Sequence, residues 1–317
     1  MPPPSADLLR RLAHARAIAF SPDRLPRSGW LRASDGVRLH YLDWPGEGDV
    51  LLLLHGGALS AHTFDLLALA LALGGDIRCI ALDLRGHGLS DWSDQYPVDR
   101  SAADVVELID ALGFAAVHVA GMSLGGCVAG HAAPLLASRL KSLTFIDVAD
   151  GVDFSATARM RAFLDQVRPV PHVEDLVRQA LMVSPQTDPD LMSYRYQHLL
   201  KAGPDGFTWR MDRRRRTDFA AILGKLAELP NLARQISCPV LVVKGGRSRV
   251  LSQRRLERFA GRFPDGAWCV IPHAGHNVQE DEPVGLAAAL RSVIGQARIH
   301  TVAPRSYPVS AAGVAAK

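Results

Sequence analysis

The chain alternates between short apolar runs and longer, mixed stretches that read as helices. Leu51-Leu52-Leu53-Leu54, Ile77 to Leu82, Val117 to Gly121 and Ser142 to Asp147 are runs of strand length with almost no polar interruption, which predicts strands buried on both faces. Phe64 to Leu73, Ser101 to Leu112 and Leu124 to Ala137 lie between them and read as helices. Strands and helices in alternation predict the α/β class, with an open, mostly parallel sheet. From about Gly151 to Leu229 the pattern changes. That stretch is helical and charged, is interrupted by Pro169, Pro171, Pro185, Pro189 and Pro204, and shows no strand-like apolar run. Pro239 to Lys244 resumes the sheet, and the strand ending at Ile271 completes it.

Composition fits one catalytic unit: 317 residues with 48% hydrophobic content can bury a large core. The net charge of +4 is modest, and the basic residues are scattered apart from Arg213 to Arg216, so no nucleic-acid partner is expected; that run reads as a solvated face of the lid, with an anion contact near the entrance as the alternative. No stretch reaches the ~18 apolar residues of a membrane span. The N-terminal segment, with Arg10, Arg11 and Arg16 among its leucines, is too charged for a signal-peptide core, so no membrane partner and a cytoplasmic location are expected. Cys79, Cys127, Cys238 and Cys269 read as buried reduced thiols without metal-ligand spacing. The tail from Arg298 to Lys317 reads as loosely ordered.

The candidate chemistry begins at Val117 to Gly126, where an apolar strand runs into Gly121-Met122-Ser123-Leu124-Gly125 and then into a helix. This is the sequence of a nucleophile elbow, a turn so tight that glycines must flank a serine lifted into a pocket. The same segment has no phosphate-loop lysine and no dinucleotide glycine spacing, so no cofactor and no metal are expected. His55-Gly56-Gly57 ends the first apolar run and can aim a backbone N–H into the same pocket.

The order His55-Gly56-Gly57, Asp83-Leu84-Arg85-Gly86-His87-Gly88-Leu89-Ser90, Gly121 to Gly126 and Gly275-His276 before an acidic-proline stretch resembles the α/β-hydrolase superfamily over roughly residues 30 to 296. The resemblance implies a mostly parallel eight-stranded sheet with a helical lid after the sixth strand. It divides the chain into an N-terminal extension (1–29), core (30–149), lid (150–236), core (237–297) and tail (298–317). It also implies roles: Ser123 as nucleophile, His276 as base, and the backbone N–H groups of Gly57 and Leu124 as the oxyanion hole. Many relatives carry the acid in the loop after the seventh strand. Here that loop reads Gly245-Gly246-Arg247-Ser248-Arg249, and Ser248, which cannot supply a charge, stands in the acid's place. Haloalkane dehalogenases and some lactonases place the acid after the preceding strand, where this chain has Asp147, with Asp150 and Asp153 in reserve.

A finer resemblance, carried by Ile146-Asp147-Val148, Phe207 to Asp212 and Lys244 to Ser252, is to a mostly esterase-like branch of serine hydrolases, although Arg249 stands where that branch usually shows aspartate. Hydrolysis of a small-molecule carboxylic ester or lactone is the implied activity. Carbon-carbon bond hydrolysis, perhydrolysis and a low-turnover, receptor-like ligand binder are the alternatives. His62, Met122 and Trp209 are the further candidates for substrate contact, His55, His87 and His273 read as structural, and a homodimer stays open.

Overall fold

The computed structural model describes residues 4–153, 155, 158–166, 168–214 and 219–297. Its strands are β1 (Arg27–Arg32), β2 (Arg38–Trp44), β3 (Asp49–Leu54), β4 (Ile77–Leu82), β5 (Val117–Met122), β6 (Leu140–Ile146), β7 (Leu200–Gly203), β8 (Gly206–Trp209), β9 (Val240–Gly245) and β10 (Gly266–Ile271). Eight of them make one sheet in the order β1-β2-β4-β3-β5-β6-β9-β10. From β4 to β10 all neighbours are parallel, while β1 and β2 are antiparallel additions at one edge. This is the α/β-hydrolase architecture that the motifs imply.

The uninterrupted apolar runs form the middle of the sheet because side chains on successive residues enter different cores. Leu52 and Leu54 of β3, Ile80 and Leu82 of β4 and Val119 of β5 face one core, and Leu51, Leu53, Cys79, Ala81 and Ala120 face the other. Helices Val98–Ala111, Leu124–Leu136 and Gln253–Ala260 cover the first face, and Asp65–Leu71 and Pro283–Ala297 cover the second. The edge strands β1 and β2 were not legible as apolar runs, since they mix arginines with aromatics and leave residues such as Trp30 half exposed.

Three parts of the expected division change. The segment 1–29 is more than an extension: helix Pro4–Ala15 buries Leu8, Leu9, Leu12 and Ala13 in the second core, and β1 already begins at Arg27. The lid contains, besides helices Ala158–Gln166, Val173–Val183 and Pro189–Leu199, the antiparallel hairpin β7-β8, whose strands are four residues each, too short for a periodic signal. Helix Phe219–Leu232, inside the expected lid, instead sends Leu226 and Leu229 into the first core. The lid keeps a small core of its own, with Leu176, Met192, Tyr196 and Trp209. Arg215, Arg216 and the tail 298–317 lie outside the described residues. Arg214, with its side chain 64% exposed, pairs with Asp212 at 2.7 Å and lies on a solvated face, as expected of this run. Among the described residues, no helix is long and apolar enough to cross a membrane. All four cysteines are free, and burial pushes each thiol up to about 12.

Because Leu12 is 1% exposed, Leu12→Ala should lower the unfolding free energy by about 2–5 kcal/mol. Urea denaturation measures it, and an unchanged midpoint would show that the N-terminal helix is not part of the cooperative core.

Candidate active site

Ser123 stands between β5 and helix Leu124–Leu136 with φ 52° and ψ −113°, a conformation that costs a non-glycine residue roughly 1–3 kcal/mol. A Cβ on Gly121 would lie 2.3 Å from the Gly125 carbonyl oxygen, and one on Gly125 would lie 2.1 Å from that of Leu54, so no larger residue fits at either place. The Ser123 N–H donates to the Ile146 carbonyl at 3.1 Å, and the Ser123 carbonyl accepts from the N–H groups of Gly126 and Cys127. The serine is therefore fixed to both the sheet and the helix, at the positive end of that helix, and is 8% exposed.

Two backbone donors stand free beside it. Among the described residues, neither the Leu124 N–H nor the Gly57 N–H donates to a protein acceptor. The turn that carries Gly57 is shaped by histidines. His55 Nδ1 donates to the Gly56 carbonyl at 2.8 Å while its Nε2 accepts from the Leu84 N–H at 3.0 Å, and His87 Nε2 accepts from the Ala58 N–H at 3.3 Å. These two are structural, as the sequence suggested, and His273 lies exposed after β10.

Asp147 directly follows β6, is completely buried, and has φ 50°. Its own N–H is tied to the Val243 carbonyl of β9 at 2.7 Å. Its carboxylate accepts three donors: the Gly245 N–H at 3.0 Å on Oδ1, and His276 Nδ1 at 2.7 Å and the Ser248 hydroxyl at 2.5 Å on Oδ2. His276 is delivered by the loop after β10, where the Gly275 N–H is held by Asp281 at 2.7 Å. With Nδ1 on the carboxylate, Nε2 is left to exchange a proton. The reserve carboxylates are turned elsewhere: Asp150 pairs with Arg258 at 3.2 Å, and Asp153 accepts from the Ser155 N–H. Ser248 is not merely a vacancy in the acid's usual place, since its hydroxyl donates to the acid supplied from β6. Lys244 Nζ fixes that loop through the carbonyls of Gly245 and Ser248 at 2.6 and 3.2 Å.

A model of the α/β-hydrolase fold matches residues 49–283. The chain belongs to the α/β-hydrolase fold family. It is similar to the esterase Rv0045c of Mycobacterium tuberculosis, at 27% identity over 265 residues covering 80% of this chain and 85% of that protein. The crystal structure of that esterase superposes with a TM-score of 0.75 at 25% identity, covering 93% of this chain and 99% of that one. A probable protein phosphatase methylesterase 1 of Caenorhabditis elegans is 29% identical over 251 residues, 76% of this chain and 67% of that protein. Haloalkane dehalogenase 2 of Mycobacterium bovis is 28% identical over 306 residues, 86% and 98% of the two chains.

Of the substrate-contact candidates in this α/β-hydrolase, His62 lines a cavity. Met122 is 1% exposed and lies in the core, its sulfur under Gly56, where it supports the turn from below. Trp209 is 3% exposed and packs on Tyr196 inside the lid. The sequence reading missed His198 and Arg210, which share the cavity with His62. His198, on helix Pro189–Leu199, stacks on His62 with ring centroids 3.6 Å apart. No local motif marks it, because the partner ring is contributed by the core.

The two rings are shifted in opposite directions. Burial opposes protonation of His62, but the Asp65 carboxylate, 2.9 Å from Nδ1, more than compensates and raises its pKa. His198 is pushed well below the usual histidine range by burial, and then by the charges of His62 and Arg210. Among the described residues, His62, Asp65 and His198 alone have metal-compatible spacing, their ligand atoms lying within 4.8 Å of one another. The positive charge of the nearby Arg210 opposes a dication there.

Two tests follow from this geometry. Ser248→Ala removes one hydrogen bond from Asp147 and should lower turnover by roughly three- to tenfold, as a loss of about 1 kcal/mol implies. Steady-state kinetics check this, and a loss of several orders of magnitude would mean that Ser248 does more than brace the acid. His198 has a depressed folded pKa, so the unfolded chain takes up a proton first as pH falls below about 6.5, and stability is lost. His62, with a raised pKa, behaves oppositely: its contribution is complete below about 6.5 and is lost as pH rises through the folded value. His198→Gln should therefore reduce the stability lost between pH 6.5 and 5 by up to about 1.4 kcal/mol per pH unit, measured by denaturation at each pH.

Proposed function

We propose that this protein is a serine hydrolase that cleaves a carboxylic ester or lactone through an acyl-Ser123 intermediate. The observation that carries the reading is the buried Asp147 carboxylate bonded to His276 Nδ1 at 2.7 Å, on the sheet edge where Ser123 is raised at a strained elbow. In the proposed cycle His276 Nε2 takes the Ser123 proton as Oγ attacks the acyl carbon, and Asp147 stabilises the resulting imidazolium. The oxyanion is received by the free N–H groups of Gly57 and Leu124. His276 then returns the proton to the departing alkoxide, and the same base activates water to release the acid and regenerate Ser123. The similarity to an esterase and to a methylesterase supports this bond type over carbon-carbon cleavage or perhydrolysis. A receptor-like binder would have no need of two unoccupied backbone donors beside a nucleophile.

A fluorophosphonate probe should label the protein, and Ser123→Ala should abolish labelling while leaving the melting temperature nearly unchanged. Nitrophenyl esters should give a burst of nitrophenol that depends on Ser123. Asp147→Asn should fold but lose turnover on the order of 10⁴-fold, the scale of the equivalent change in a serine protease. Near-normal turnover in that variant would overturn the assignment of the acid.

A further inference from the structure

The cavity under the lid, about 60 Å³, is lined by His62, Asp83, Leu89, Gln197, His198 and Arg210, among others. Its wall carries one carboxylate, Asp83, and one cation, Arg210, that do not touch. Arg210 is half-buried and makes no side-chain hydrogen bond or ion pair among the described residues. Its backbone is nonetheless fixed: the N–H donates to the Leu199 carbonyl at 2.9 Å, and the carbonyl accepts from Trp92 Nε1 at 2.8 Å. Desolvation lowers the Arg210 pKa, as expected of a cation removed from water without a contacting counter-charge, and Asp83 offsets this only at a distance.

Asp83 does not contact Arg210; its oxygens accept from His40 Nδ1 at 2.8 Å, the Ala61 N–H at 2.6 Å and the Leu89 N–H at 2.9 Å. A second group in the cavity is also unsatisfied. His198 Nε2 is buried with no hydrogen-bond partner. His62 spends Nδ1 on Asp65 and has its other nitrogen left. The Arg210 guanidinium and the His198 Nε2 thus face the cavity without a contacting carboxylate among the described residues, whereas His62 is held by Asp65.

We propose that this cavity receives a carboxylate carried by the substrate, so that the ester cleaved at Ser123 is a monoester of a dicarboxylic acid or a comparably anionic ester. The substrate class rests on the serine-hydrolase reading, whereas the anion site itself does not. Arg210 binds the carboxylate as a charged fork, and His198 Nε2–H completes the cradle. The position suits this role. Asp83 follows β4 and Ser123 follows β5, both at the carboxyl edge of the sheet and both on neighbours of β3, so the two sites are about two strand spacings, roughly 10 Å, apart. A short carbon chain spans that gap.

The test compares nitrophenyl monoesters of succinate through suberate with neutral nitrophenyl alkanoates of matched length. At least one anionic ester should exceed its neutral counterpart in kcat/KM by about tenfold or more, and Arg210→Gln should reduce that ratio about ten- to hundredfold, with Arg210→Lys keeping part of it. Circular dichroism verifies that the variants are folded. A wild-type preference for neutral esters at every length, or a ratio unmoved by Arg210→Gln, overturns the proposal while leaving the hydrolase reading intact. If no ester is cleaved, the hydrolase reading fails on its own. Calorimetric titration of Ser123→Ala with glutarate and adipate then decides the anion site: binding that Arg210→Gln weakens supports it, and absence of binding overturns it.

Discussion

The candidate site depends on one buried charge. Asp147 is fully removed from water, and an isolated carboxylate in that position would be strongly destabilising. It is tolerated because donors from three separate segments converge on it: the Gly245 N–H at the end of β9, the Ser248 hydroxyl in the next loop, and His276 after β10. The requirement works in both directions. The carboxylate must be satisfied for the fold to persist, and satisfying it fixes the imidazole and the loop that braces it.

The opposite constraint, steric rather than electrostatic, sets the nucleophile. Ser123 and Asp147 both adopt positive φ at the carboxyl ends of adjacent strands, and each is pinned by a backbone bond to the strand beside it: Ser123 to Ile146, and Asp147 to Val243. The strain at both positions is supported by the parallel ladder, with its two apolar cores, that the middle of the chain builds. Rigidity at the sheet edge and reactivity at the serine thus have a common origin.

The lid side of the site combines a paired charge with one cation that no carboxylate contacts. His62 is tied to Asp65 on the core, His198 comes down from the lid to stack on it, and Arg210 closes the cavity without a contacting carboxylate. The ion pairs Arg11–Asp190 and Arg16–Asp188 link the N-terminal helix to the helix bearing His198, so that helix is held from outside the lid as well.

The sequence by itself determined the features that depend on local pattern. The apolar runs gave the buried parallel strands because both faces of each are covered. The Gly121 to Gly125 spacing gave the elbow because only glycine fits those close approaches, and the residue after Leu140–Ile146 gave Asp147 as a carboxylate at a strand end. The edge strands β1 and β2 and the hairpin β7-β8 were hidden because mixed or four-residue strands carry little periodic signal. Only tertiary structure decided that Ser248 donates to Asp147 across 101 positions, that Met122 and Trp209 turn into cores, and that Arg210 and His198 meet His62. Each of these depends on distant segments meeting at one edge of the sheet, and the pairing of buried charges and hydrogen bonds there is fixed by packing in space rather than by spacing along the chain.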